Sequence, residues 1–240
     1  MRKALLLVLA LTGFFAGCEE KYKESDPEAM GYGYYPLAVG DTRVYQVTDI
    51  QFKNDEGDTL RFQMQERVDT TFLDQTNTLN YKIIRSVRPD AESPWKEDSV
   101  LVVSRSVSSL LLTQDNTRYV KLVFPVRTGK TWQGDAYNNH TVNIDQKETY
   151  TYAAAGEPYT VSDQTYGNTV TVIQGTPTKN LVQLDERREV YAEGVGRIYR
   201  IFNRVVYCNE TTGSNTCPFG EDYKLDGHER HEELISYSSK

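Results

Sequence analysis

Two kinds of apolar pattern divide the chain. Ala4 to Ala10, extended by Leu11, Phe14 and Phe15, form a nearly unbroken apolar run behind the basic pair Arg2-Lys3. After residue 18 no comparable run occurs, and apolar residues alternate with polar ones instead. The clearest alternation sets Leu60, Phe62, Met64, Val68 and Phe72 against Arg61, Gln63, Gln65, Arg67, Asp69 and Thr71. A period of two predicts a strand with one buried and one wet face. Only Glu66 interrupts the apolar face, which predicts an open end of the sheet or a cavity at that point.

The same period predicts strands over Thr42–Phe52, Tyr81–Val87, Ser99–Ser106, Ser108–Thr113, Arg118–Val126, Val142–Ala153, Tyr159–Val161, Asn168–Gln174, Leu181–Leu184, Val190–Ala192, Arg197–Cys208 and Glu233–Tyr237. Turn residues separate them: Asn54 to Asp58, with Gly57 expected to supply a positive φ, then Arg88-Pro89-Asp90, Gln114 to Thr117 and Gly156-Glu157-Pro158. In the last long strand Tyr199, Ile201, Asn203, Val205 and Tyr207 share one face, and Ile198, Arg200, Phe202, Arg204 and Val206 the other. The two glycines of Gly194-Val195-Gly196 would let the chain bend or bulge ahead of it. No stretch beyond residue 18 has helical period, and no repeat or linker follows residue 34. The expected fold is mainly β, a single antiparallel, strongly curved sheet of half-barrel or barrel-like form, with a sandwich as the alternative. Seventeen tyrosines fit a strand-rich chain.

The apolar start has a different meaning. A basic flank, a short apolar run and small residues before a cut are the layout of an export signal. The run is too short for a membrane-spanning helix, which needs about 20 apolar residues. Ala16-Gly17-Cys18 resembles a lipobox, the motif at which a signal is cleaved and the new amino-terminal cysteine acylated, with palmitate among its chains. The resulting expectation is a signal peptide over residues 1–17, a lipidated tether over 18–33 and a β-rich domain over 34–240. The membrane is then a partner through the lipid on Cys18, and two or three acyl chains hold where one would not. The formal charge is −7, so nucleic acid is not an expected partner.

With Cys18 assigned to lipid, Cys208 and Cys217 are an even pair in an oxidising compartment. The polar, turn-rich residues between them predict a disulfide closing a surface loop. Zinc would require a second cysteine pair.

Other chemistry is sparse. Gly129-Lys130-Thr131 ends like a phosphate-binding loop, but Phe124 stands where the first glycine belongs, and no helix follows. His228 and His231 are three apart, which on a strand points them to opposite faces. Asn54, Asp55, Glu56 and Asp58 offer oxygens without the spacing of a calcium loop. No metal site, cofactor or catalytic residue is expected. Asp58-Thr59-Leu60, Asp69-Thr70-Thr71 and Asp98-Ser99-Val100 resemble the short acceptor phrase for O-glycans in Bacteroidota. Trp95, Trp132 and Tyr137 are candidate ligand-binding residues, because rings with an apolar body and a polar tip suit sugar or peptide faces. In β proteins such rings are equally core residues.

Two phrases resemble a known group. Tyr34-Tyr35-Pro36-Leu37-Ala38-Val39-Gly40-Asp41-Thr42-Arg43-Val44-Tyr45 resembles the "YYPL-x-VG" opening of a large group of Bacteroidota lipoproteins. Tyr191-Ala192-Glu193-Gly194-Val195-Gly196-Arg197-Ile198-Tyr199 resembles their "YA-x-GVG" phrase near the carboxyl end. The resemblance implies an envelope location and a curved half-barrel like that of lipoprotein carriers. It carries no active residues across, and Arg43 and Arg197 stand where aromatic and aliphatic residues are common. Glu19 and Glu20 resemble the acidic export signal that sends such lipoproteins to the cell surface, and equally suit a solvated linker.

The expected function is that of an extracytoplasmic, outer-membrane lipoprotein facing the periplasm or the cell surface. Its domain would be non-enzymatic and bind an envelope ligand such as a lipid, or a protein partner. A lipid requires an apolar concave face. A glycan-binding accessory protein is the alternative and requires exposed rings in one groove. A hydrolase is the second alternative and requires two carboxylates about 5–10 Å apart in a cleft.

Overall fold

A computed structural model describes residues 26–138, 148–209, 217–220 and 222–239. The expected signal peptide, Cys18, the first part of the tether and the start of the strand expected from Val142 lie outside the described residues.

The chain opens with a one-turn helix, α1 (Pro27–Met30), and a 3₁₀ turn over Tyr32–Tyr34. Local chemistry accounts for α1. Asp26 caps it by accepting the Glu28 N–H, Pro27 occupies the first turn, and Gly31 closes it at φ 79°. The helix and the start of the 3₁₀ turn fall within the carboxyl end of the tether expected over residues 18–33. Met30 packs against the core, and Val126 N–H donates to the Met30 carbonyl at 3.1 Å.

One antiparallel sheet follows. Its strands are β1 (Thr42–Lys53), β2 (Glu56–Leu73), β3 (Leu79–Arg88), β4 (Lys96–Arg105), β5 (Ser109–Gln114), β6 (Thr117–Val123), β7 (Thr131–Gln133), β8 (Thr149–Val161), β9 (Gln164–Gln174), β10 (Thr178–Lys179), β11 (Gln183–Ala192), β12 (Gly196–Tyr207) and β13 (Lys224–Ser238). The order is β6-β5-β4-β3-β2-β1-β13-β12-β11-β9-β8-β7, with β10 added on β11. The carboxyl-terminal β13 pairs with both β1 and β12, and so joins two meanders. The expected terminal strand, Glu233–Tyr237, captures only the end of it.

The sheet curls until its outer strands meet. Val120 N–H on β6 donates to the Gly134 carbonyl just past β7, at 2.9 Å. Side chains complete this seam. Trp132 Nε1 donates to the Val120 carbonyl at 2.8 Å, and the Tyr152 hydroxyl bonds both the N–H and the carbonyl of Val123. The result is a nearly closed barrel, with side-chain bonds replacing most of a strand ladder along the seam.

Two local expectations change. The β1–β2 turn is the two-residue Asn54-Asp55, with φ 51° and 66°, as a tight hairpin between right-twisted strands requires. Gly57 lies within β2 opposite Phe52. The break expected at Gly156-Glu157-Pro158 is instead a bulged stretch inside β8, where Ala154 and Gly156 take positive φ and the register with β9 shifts.

The hairpin turns alternate between two poles. At one pole the amino-terminal segment closes the barrel. Tyr34 and Tyr35 are buried there with Val68, Leu101, Leu110, Leu122, Phe124, Tyr152, Val170 and Tyr191. The opposite pole carries the β1–β2, β3–β4 and β5–β6 turns and is open. It also carries the disulfide between Cys208 and Cys217, which follows β12.

Candidate functional site

The two family-like phrases meet at the closed pole. Gly194 N–H donates to the Gly33 carbonyl at 2.9 Å, and the Tyr35 and Tyr191 rings lie 6.0 Å apart. Arg43 ties the joint from β1: its Nε donates to the Val195 carbonyl and its Nη2 to the Pro36 carbonyl. Gly196 has φ 98°, and a Cβ there would stand 2.6 Å from Arg43 Nε. Its backbone conformation and the passing guanidinium both require glycine. The two phrases therefore build the floor of the barrel.

Above this floor the lumen turns from apolar to charged. Strand parity carries the change. Met64, Glu66 and Val68 alternate inward on β2, and Arg187, Glu189 and Tyr191 on β11. On β12 the register with β11 slips between Val190 and Tyr191, so Ile198 is an extra residue. The bulge lets Arg197 and then Arg200, Phe202 and Arg204 all face the lumen, although their numbers differ in parity.

The charged groups form one network. Arg197 lies at its centre, 3.2 Å from Glu66 Oε1 and 2.9 Å from Glu232 Oε2. Arg85 Nη2 donates to Glu66 at 2.7 Å, and Lys121 Nζ meets the Glu189 carboxylate at 2.6 Å. Glu232 also accepts from Arg200 and Arg230, and Arg230 continues to Asp49 at 2.6 Å. The Tyr191 hydroxyl donates to Glu189 Oε2 at 2.6 Å and so links the network to the apolar floor. Glu189 and Glu232 are only 2% and 1% exposed. At such burial an unpaired carboxylate would be prohibitive, so each is surrounded by cations.

Protonation follows from this arrangement. Burial pushes Glu189 up, but Lys121, Arg197 and Arg200 outweigh it and hold it at about 2. Burial likewise opposes ionisation of Glu66 and Glu232, and the surrounding arginines bring both below the usual carboxylate range. Burial pulls the Lys121 ammonium down despite Glu189. Tyr35, buried beside Glu66, is pushed up to about 12 and stays neutral.

This network walls a cavity of about 410 Å³ that opens at the pole opposite the floor, past Gln114, Asp115, Thr117 and Gln174. A second space of about 330 Å³ adjoins it, and the two share Arg85, Gln114 and Arg200. Glu66, singled out by its break in the β2 pattern, faces the cavity. Arg197, Glu189, Glu232 and Lys121 were missed. The available signal was repeated interruption of strand faces by charge, as in Glu189-Val190-Tyr191 and Gly196-Arg197-Ile198.

The expected aromatic site residues lie elsewhere. Trp132 is half-buried at the seam, with its ring centroid 4.4 Å from that of Tyr152. Trp95, on the β3–β4 turn, lies under the Arg88 guanidinium at 4.2 Å, and Tyr137 is 62% exposed beyond β7. None of the three lines either cavity. His228 and His231 point to opposite faces of β13: His228 meets Asp49 at 2.8 Å, and His231 lies 3.5 Å from the Tyr199 hydroxyl. Lys130 of the phosphate-loop-like phrase donates to the Phe124 and Pro125 carbonyls. Among the described residues, no group of three or more His, Cys, Asp and Glu could hold a metal ion.

No protein-family model and no curated protein matches the chain. Two solved structures are similar. One is a Bacteroides fragilis NCTC 9343 protein described as exported and of YmcC-like fold. It is 9% identical, with a TM-score of 0.39 over 85% of this chain and 98% of that one. The other is a Parabacteroides distasonis ATCC 8503 protein described as a lipoprotein. It is 10% identical, with a TM-score of 0.37 over the same shares of the two chains. Both similarities are remote, and no residue role is taken from either.

Proposed function

We propose that this chain is an exported lipoprotein, anchored through Cys18, whose non-enzymatic β domain binds an envelope ligand inside the barrel. The anchor rests on the export signal and the lipobox at Ala16-Gly17-Cys18. Binding rests on one observation: an open cavity of about 410 Å³ whose far end is closed by buried tyrosines. Such a cup admits a guest from one side only.

The wall argues against a lipid tail as that guest. An apolar concave face was the condition for a lipid, and here the upper lumen carries ion pairs. An acyl chain would strip water from charged groups and return no hydrogen bonds. A polar or charged molecule fits better. A carboxylate-based hydrolase is also disfavoured. Glu66 and Glu189 share the cleft, but both are paired with cations and held ionised, whereas glycoside hydrolysis by a carboxylate pair requires one carboxyl kept protonated. Trp95, Trp132 and Tyr137 lie outside the cavity, so the rings named for the glycan reading do not support it.

The experiment is purification of the full chain from membranes, followed by native mass spectrometry. The expected result is a non-covalent mass on the acylated protein that is lost in Leu112→Trp, which fills the cavity from β5. Cys18→Ala should move the protein out of the membrane fraction. Empty protein in every preparation would overturn the binding reading, and membrane retention of Cys18→Ala would overturn the anchor.

A further inference from the structure

The cations of the cavity wall fall into two sets. Arg85, Lys121, Arg187 and Arg197 have their charge matched at short range: Arg85 by Glu66, Lys121 by Glu189, Arg187 by Glu148 and Asp185, and Arg197 by Glu66 and Glu232. Arg200 and Arg204, nearer the mouth, are not used up in this way. Arg200 gives Nη1 to Glu232 at 2.8 Å, while its Nε stands 3.6 Å from Glu189. Arg204 has one carboxylate in range, with its Nε 3.6 Å from Asp185 Oδ2. Among the described residues, Nη2 of Arg200 and both terminal nitrogens of Arg204 have no hydrogen-bond partner.

Their placement on one strand gives these spare donors a shape. Arg200, Phe202 and Arg204 lie on one face of β12 at successive alternate positions, about 7 Å apart. All three line the cavity, and both arginine side chains are partly exposed. The stripe thus offers a cation, an aromatic face and a second cation along the entry to the cup. Leu112 on β5 adds an apolar surface in the same cavity. A planar guanidinium with free N–H groups suits carboxylate and phosphate oxygens, which it can engage two at a time.

We infer that the cavity takes an anionic ligand, whose carboxylate or phosphate group is held by Arg200 and Arg204 while its uncharged part lies along Phe202. This deepens the binding reading above and depends on it. The fully matched set fixes the geometry of the deeper wall, and Arg200 and Arg204, with donors left over, do the recognition. Both arginines keep a carboxylate partner, which orients the side chain and leaves Nη2 of Arg200 and the terminal nitrogens of Arg204 available.

The test is titration of the full, membrane-purified chain with inorganic phosphate and with succinate, each against sodium chloride of matched ionic strength. Isothermal calorimetry and thermal unfolding are the readouts, since a ligand that binds only the folded state raises the melting temperature. Saturable binding of phosphate, of succinate or of both supports the inference, and which anion binds identifies the chemistry of the natural ligand. Arg204→Gln and Arg200→Gln should each weaken that binding at least about tenfold, the loss of one charge-assisted contact. Arg61→Gln, on the exposed face of β2, should leave it unchanged. Arg204 is the more exposed of the pair, so its variant reports on binding even if Arg200→Gln fails to fold. Heats indistinguishable from sodium chloride, or equal losses in Arg61→Gln, would overturn the inference. A neutral molecule in the native mass spectra would overturn it too while leaving the binding reading intact, whereas empty spectra would remove both.

Discussion

The closed pole and the charged lumen occupy the same barrel and are held together in opposite ways. At the closed pole, Leu101, Leu110, Leu122 and Val170 are fully buried, and the Tyr34 and Tyr152 hydroxyls bond neighbouring polar groups. Cohesion there comes from apolar area removed from water and needs no particular partner for any one atom. In the upper lumen, charged groups are linked in series through Arg197, which reaches Glu66, Glu189 and Glu232, so one contact depends on the next. The first arrangement tolerates change of shape within limits, and the second tolerates loss of a charge hardly at all. The difference fits a cup: a floor that only has to seal, and a wall that has to stay polar and still hold its geometry.

Removal of the central cation should break the comparison most strongly. Arg197→Ala leaves Glu66 and Glu232 short of their shared partner in a buried site, and breaking a buried pair costs about 3–5 kcal/mol. Chemical denaturation should show a loss of that size. Replacing Arg197, Glu66 and Glu232 together by apolar residues of similar volume should recover much of it. A triple variant as unstable as the single one would show that the network is not the cause.

The floor should respond as ordinary core. Leu122→Ala should cost about 2–5 kcal/mol, because a side chain with no exposure leaves a cavity behind. This loss should be unchanged between low and high salt. A salt-dependent loss would mean that the two regions are coupled.

Acid should separate the regions without mutation. Glu189 sits at about 2 in the folded chain against an ordinary 4.5. A carboxylate whose folded pKa is depressed contributes stability above its unfolded value and loses it as pH falls toward the folded value. The gap corresponds to something on the order of 3 kcal/mol. Glu66 and Glu232 are displaced in the same direction. Stability should therefore be flat from pH 7 to about pH 5 and fall steeply between about pH 4.5 and 2. Unfolding free energy measured against pH gives the curve, and Glu189→Gln should flatten part of it. A curve as steep in the variant would place the acid sensitivity elsewhere.

The smallest effect belongs to the entry of the floor. Asp26→Ala removes the cap of α1 and should cost about 1 kcal/mol. Hydrogen exchange should rise at the Glu28 amide and leave the lumen strands alone.

Much of the barrel was legible because a strand whose faces meet different solvents writes its period into the sequence. The alternation around Leu60 to Phe72 yields β2, and Glu66 within it pointed to an open end of the sheet or a cavity. Boundaries failed where two elements share a residue's role. Gly57 reads as a turn glycine, yet the two-residue turn at Asn54-Asp55 leaves it in the strand. Pro158 reads as a break, yet β8 passes through it on a bulge. The aromatic candidates lie outside both cavities, a placement that composition could not give. A tryptophan has the same composition signal in a groove as at a seam, and Trp132 is at the seam because β6 and β7 happen to meet there.

By itself the sequence determined the mainly β class, the curved antiparallel sheet, the cysteine pair and the two phrases that mark the floor. Each of these depends on residues close in the chain, or on a pattern repeated along one strand. Only the tertiary structure decided that Arg197 faces Glu66 and Glu232, or that Arg200, Phe202 and Arg204 share a lumen face with Arg197. Those facts depend on a bulge at Ile198, on β13 returning between β1 and β12, and on how far the sheet curls. All three are set by packing across the whole barrel, and no local pattern encodes them.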